Sequence, residues 1–156
     1  MTSLGMAVLV LMVGLQDPNG WGISPEWAAS YPQTAQEIAD AAEESPLLRD
    51  VEATAALLVI MGYRESRFDR WAEGDAGAAV GLFQVHRAWG DETARGALRL
   101  LHESFRVCRE RPLTERLGWY AAGGKGCDRR LELSRSRMAE VAKILPKLRA
   151  ELRAVR

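Results

Sequence analysis

A few side chains in this sequence have the type and setting for chemistry at a fixed site: one glutamate at the end of an apolar stretch, the serine beside it, two histidines and two cysteines. Glu65 follows Leu57-Leu58-Val59-Ile60-Met61-Gly62-Tyr63-Arg64, so it falls at the C-terminal end of what should be a buried helix. Burial and the negative helix end both disfavour a carboxylate, and the sequence predicts a raised pKa there. A carboxyl still protonated near neutral pH is a general acid of the kind that protonates the leaving oxygen when a glycosidic bond breaks. The competing reading is a salt-bridged surface group, because Arg64 and Arg67 flank it. His86, His102, Cys108 and Cys127 lack the paired ligand spacing of a zinc site. Ser66 with His86 lacks the nucleophile elbow of a hydrolase triad. No glycine-rich stretch matches a phosphate loop or a dinucleotide fingerprint, so neither metal nor organic cofactor is expected.

Three segments in order sharpen the reading of Glu65. Glu65-Ser66-Arg67-Phe68-Asp69 is followed by Gly77-Ala78-Ala79-Val80-Gly81-Leu82-Phe83-Gln84-Val85 and then by Trp119-Tyr120-Ala121-Ala122-Gly123. The series resembles the lytic transglycosylases of the lysozyme-like enzymes, whose motifs read Glu-Ser, Gly-Leu-(Met/Phe)-Gln and Tyr-Asn-Ala-Gly, and it covers about residues 50–130. The resemblance implies a mainly α, lysozyme-like single domain with a small irregular or β-like loop at the substrate cleft. It implies Glu65 as the single catalytic acid and base, with Ser66, Gly81, Leu82, Phe83, Gln84, Tyr120 and Gly123 along the saccharide cleft. The implied reaction cuts the β-1,4 bond between N-acetylmuramic acid and N-acetylglucosamine in peptidoglycan and leaves a 1,6-anhydromuramoyl product. Gln84 would offer its amide to the sugar, and glycines would let the glycan lie close to backbone. For Phe83, core packing and a sugar-facing role are equal alternatives.

The sequence departs from that pattern at Ala121, where the family has Asn, at Arg70, where Pro is common, and at Gly74-Asp75, where a serine is common. Asp75 is the candidate second carboxylate for a hydrolytic route, its alternative being a solvent-facing turn residue. Hydrolytic muramidase action on the same bond is therefore the second reading, and a non-catalytic wall-binding or assembly protein that keeps the cleft is the third.

The elements that must hold these residues can be read from periodicity. Residues 47–66 read as a helix buried on nearly all sides. Phe68 to Gly81 reads as a loop or irregular ribbon, with a strand only around Phe83-Gln84-Val85. Asp91 is the expected cap of a helix whose apolar face is Ala94, Leu98, Leu101, Phe105 and Cys108. Pro112 opens a short helix through Tyr120 that stops at Gly123-Gly124. The turn Asp17-Pro18-Asn19-Gly20 and the cap Ser24-Pro25-Glu26 precede a short helix carrying Trp27. Residues 33–44 then read as a peripheral helix with Ile38 as its one large apolar side chain, broken by Ser45-Pro46. Met138, Val141, Leu145, Leu148, Leu152 and Val155 form one stripe on a basic helix, with a kink or restart expected at Pro146.

Composition bounds the rest. The chain has 156 residues, 47% hydrophobic and 27% charged, which suits one globular domain and excludes disorder and collagen-like structure. Lys+Arg 21 against Asp+Glu 21 gives no overall attraction for nucleic acid. Residues 1–98 nonetheless hold 6 Lys/Arg and 14 Asp/Glu, and residues 99–156 hold 15 and 7. Mutual attraction within the fold is the plain explanation, and an anionic polymer near the basic part is the sharper one. The uninterrupted apolar run at residues 4–15 has the length of a signal-peptide core, with a buried first helix as its rival. The chain accordingly divides into an N-terminal apolar segment, residues 1–20, and a catalytic domain, residues 21–156. Export to the periplasm or envelope would allow a Cys108–Cys127 disulfide. A monomer acting on glycan strands is expected, any membrane or envelope-complex association running through the N-terminal or C-terminal segment.

Overall fold

The computed structural model describes residues 1–16 and 25–155, leaving the turn expected at residues 17–20 and the cap expected at Ser24 outside the described residues. Within them the order is α1 (Ser3–Gln16), α2 (Pro25–Glu44), α3 (Val51–Ser66), β1 (Glu73–Gly74), β2 (Ala79–Val80), β3 (Val85–His86), α4 (Ala94–Val107), α5 (Gly118–Ala121) and α6 (Leu131–Ala154). The molecule is mainly helical, with one small antiparallel sheet in the order β1-β2-β3. Glu73 pairs with Val80, and Val80 with Val85, so the sheet is a ribbon placed between the helix carrying Glu65 and α4.

The apolar stretch that ends at Glu65 becomes the central helix. Residues 54–62 of α3 are all buried, because α1, α2 and α6 pack around it. Asp50 caps its start by accepting from the Ala53 amide at 2.9 Å, satisfying one of the free N–H groups there. Its end is abrupt: Arg67 and Phe68 both take the left-handed conformation, φ 53 and 64. Two such residues in succession are costly for L side chains, and the burial of the Phe68 ring against Tyr31 and Tyr63 offsets that cost. The chain thereby leaves α3 directly after Glu65-Ser66 and turns into the ribbon.

Several expectations need correction. Residues 33–44 are not peripheral: Thr34, Ala35, Ile38, Ala39, Ala41 and Ala42 are essentially fully buried, since small side chains let α2 lie close to α1. The segment after Pro112 is two pieces, a 3-10 turn at Leu113–Glu115 and the four-residue α5. Between them the buried Ser104 hydroxyl donates to the Arg116 carbonyl at 2.7 Å and accepts from the Tyr120 amide at 3.0 Å, fixing the bend. The cap of α4 is Thr93, whose hydroxyl accepts from the Gly96 amide, and Asp91 stands one step behind, accepting from the Thr93 amide and hydroxyl. At Pro146 α6 continues as one helix; the ring sits on its exposed side and only one backbone donor is missing.

The residues 4–15 run forms most of α1, with Leu4, Val8, Leu11 and Met12 buried in the same core as α3. The basic part meets the acidic part in ion pairs of α6 with α3 and its cap, Arg137 with Glu65 and Arg149 with Glu52 and Asp50, while Arg64 with Glu140 pairs in the opposite sense. No described helix is long and apolar enough to cross a membrane.

Candidate functional site

Glu65 opens onto a cleft of about 550 Å³ between the ribbon and the α5 region. Its carboxyl is only 27% exposed, and that burial is the main force raising its pKa above the ordinary carboxylate value. Among the described residues the one cation paired with it is Arg137 of α6, at 3.6 Å, which pulls the other way and is outweighed. Arg64, by contrast, reaches away to Glu140, donating from Nε and Nη2 at 2.8 and 2.7 Å. The flanking arginines therefore do not turn Glu65 into an ordinary surface ion pair.

Tyr120 stands on the α5 side of the cleft and donates its hydroxyl to the Phe83 carbonyl at 3.2 Å. Burial raises its pKa, and the charge of an ionised Glu65 nearby raises it further, so the phenol keeps its proton and goes on donating it to the Phe83 carbonyl. This bond ties the helical side of the cleft to the ribbon side. Ala121, Ala122 and Gly123 continue the wall, and Gly123 has a left-handed φ of 60 that suits its residue type. A disulfide between Cys108, the C-cap of α4, and Cys127 closes this segment, with Cα atoms 5.6 Å apart.

The other residues expected along the cleft divide into two groups. Phe83, Gln84, Tyr120 and Gly123 line it, as does Asp75. Ser66, Gly81 and Leu82 stand behind it. The Ser66 hydroxyl donates to the Leu82 carbonyl at 2.8 Å and to Gly62 at 3.2 Å, locking the end of α3 to the ribbon. Gly81 takes φ +76, and Leu82 is buried in the core, so what these two provide is the turn and its anchor. Phe83 is 1% exposed, so its ring packs in the core even where the residue borders the cleft. Gln84 has less to offer than its position implied: its Nε2 donates to the carbonyls of Ala72 and Gly81, both at 3.0 Å.

Of the acidic residues in the loop, Asp69 accepts from the Trp71 amide within its own turn, and Glu73 pairs with Arg87 at the surface. Asp75 alone joins Glu65 among the cleft-lining carboxylates of the described residues. Those residues contain no group of three or more His, Cys, Asp or Glu arranged to hold a metal.

Four contributors escaped the sequence reading. Trp89 lines the cleft and stacks on Trp119, with centroids 5.6 Å apart and planes 14° off parallel. An aromatic residue just beyond the Gly-Leu-Phe-Gln stretch and before Gly90 was the available signal. His86 and Lys125 line the same cleft. Arg137 is one of many cations on a basic helix, and nothing in its sequence neighbourhood distinguishes it.

A partly buried carboxyl with a raised pKa, facing an open groove with aromatic and small residues on its walls, can transfer a proton to a bound polymer. No protein-family model, curated protein or solved structure matches this chain.

Proposed function

We propose that this protein is a lysozyme-like peptidoglycan lytic transglycosylase acting in the periplasm or cell envelope. The observation that carries the reading is the setting of Glu65: at the abrupt end of the buried α3, with its pKa raised by burial, at an open cleft that also holds Tyr120. The order of elements around it adds support, since a central helix ending in the acid, a three-stranded ribbon and a return through a tyrosine turn match what the motif resemblance implies.

In this reading the Glu65 carboxyl protonates the oxygen that joins N-acetylmuramic acid to N-acetylglucosamine as the bond breaks, with the substrate's own 2-acetamido group assisting. The resulting carboxylate then takes the proton of the muramoyl 6-hydroxyl as that oxygen closes on C1, giving the 1,6-anhydro product and restoring the acid. Intramolecular attack needs no second protein carboxylate, because the nucleophile is held at high effective concentration. Ser66 and the Tyr120 hydroxyl serve by fixing the two walls to one another.

Hydrolysis is the second reading, and the presence of Asp75 in the cleft favours it. Digestion of purified peptidoglycan by wild type and Glu65→Gln, followed by mass spectrometry, tests both. Anhydromuropeptides from wild type and a loss on the order of 10²–10⁴ in Glu65→Gln are expected. Products heavier by one water would make the enzyme a muramidase with Asp75 as the residue to substitute next. Wall binding without cleavage by wild type would overturn both readings.

A further inference from the structure

Arg137 is an arginine whose side chain is only 13% exposed. Its Nη2 lies 3.6 Å from Glu65 Oε1 and its Nη1 3.9 Å from Glu140 Oε1, so one guanidinium is shared between two carboxylates. Neither side of that arrangement is saturated: Arg137 Nε and Glu140 Oε1 are both buried without a hydrogen-bond partner among the described residues. Glu140 is held in place from the other side, its Oε2 accepting twice from Arg64. A buried cation with spare donors, midway between a fixed carboxylate and the site carboxyl, can shift its weight from one to the other as Glu65 gains or loses its proton.

Resting on the reading of Glu65 as acid and then base, we propose that Arg137 is the positioning counter-ion of Glu65. In the protonated state Glu65 has no charge to hold the guanidinium, which then belongs to Glu140. When Glu65 gives its proton to the glycosidic oxygen, the new carboxylate attracts Arg137, and the charge formed in that step is met by a cation already in place. When the carboxylate takes up the 6-hydroxyl proton, Arg137 returns to Glu140. Among the described residues no other group facing Glu65 can do this. Tyr120 from α5 is neutral and committed to Phe83, and Arg64 on the same helix is committed to Glu140. His86 and Asp75 from the ribbon and Lys125 from the loop after α5 are exposed, where water weakens their effect.

The test uses the full chain and three variants: Arg137→Met, Arg137→Lys and Glu140→Gln. The side-chain carboxyl of Glu65 is followed by carbon NMR over pH, its signal identified by its loss in Glu65→Gln, and the pH profile of muropeptide release is measured beside it. Arg137→Met should move the Glu65 titration and the alkaline limb of kcat/KM to higher pH, with turnover lower on the order of ten-fold, a smaller loss than removing the acid itself. Arg137→Lys keeps the charge and should restore most of both. Glu140→Gln leaves Arg137 wholly to Glu65 and should move the limb to lower pH, a shift that loss of packing would not produce. A Glu65 titration that stays put in Glu140→Gln and in whichever Arg137 variant folds would overturn the proposal. Wild type that releases no muropeptide would instead overturn the functional reading, and the titration would still report whether the two groups are coupled.

Discussion

Replacing both Cys108 and Cys127 by Ser tests how far the cleft depends on its covalent tie. The bridge joins residues 19 apart in sequence, and the loop it closes contains Tyr120, Gly123 and Lys125, the α5 side of the cleft. In the chain-entropy treatment a loop of that length is worth about 3 kcal/mol through the unfolded state. For a domain of this size each kcal/mol corresponds to about 2–4 °C, so the double variant should melt roughly 6–12 °C below wild type in calorimetry. The folded loop is also held by Ser104 and Ser134, whose hydroxyls bond the Arg116 carbonyl, the Tyr120 and Leu117 amides and the Thr114 carbonyl. The variant should therefore keep most of its activity at 25 °C and lose it only as melting begins. Thiol titration of unfolded, unreduced wild type should find no free cysteine. A melting point within about 2 °C of wild type would refute the reasoning, because it would leave the closed loop without its expected effect on the unfolded chain.

Further outcomes follow from the same contacts. Because burial raises the Glu65 pKa, its proton favours the fold: the contribution is complete below the ordinary carboxylate value and is lost as pH rises through the raised one. Denaturation across pH should thus show wild type losing ground to Glu65→Gln as the solution becomes more alkaline; a gap that did not change with pH would contradict the burial argument. Ser66→Ala removes the donor to the Leu82 carbonyl and should cost about 1–3 kcal/mol in urea unfolding, with reduced cleavage as the ribbon loosens from α3. Deleting residues 1–16 strips Leu4, Val8, Leu11 and Met12 from the core, each worth about 1.5–3 kcal/mol, a total comparable with the 5–15 kcal/mol of a whole domain. The shortened chain should show no cooperative melt; a sharp one would favour the reading of this segment as a removable export signal.

The helical frame was legible where large apolar residues repeat. The stripes of α4 and the unbroken apolar run of α3 fall in the core as their spacing requires. The burial of α2 was not legible, because alanines signal neither a face nor a depth until the neighbouring helix is known. At the site, Glu65 and Tyr120 were expected from local motifs, and both line the one cleft. Ser66, Gly81 and Leu82 were placed one layer too far forward, since a motif marks a turn without telling which of its atoms face outward. Arg137 reaches Glu65 from a segment that only the packed fold brings near, and Trp89, close to the motif in sequence, is set at the cleft by its stacking on Trp119. The disulfide could be anticipated because its cysteines bracket a single turn of chain.

The packing of α1 against α6 sets an order on the making of the molecule. Leu4 and Leu152 line the same surface hollow, although they stand 148 positions apart in sequence. During synthesis α2 and α3 can cover most of α1 soon after it emerges, but the part of α1 that meets α6 stays open until residues 131–154 have followed. The nascent chain therefore cannot finish its core piece by piece; completion is a late, long-range event, slower than local helix formation. Through that interval this part of α1 stays open to chaperones and to wrong partners. A circular permutant that joins the last helix to the first by a short linker would make this contact local, and should fold faster than the natural chain while presenting the same cleft.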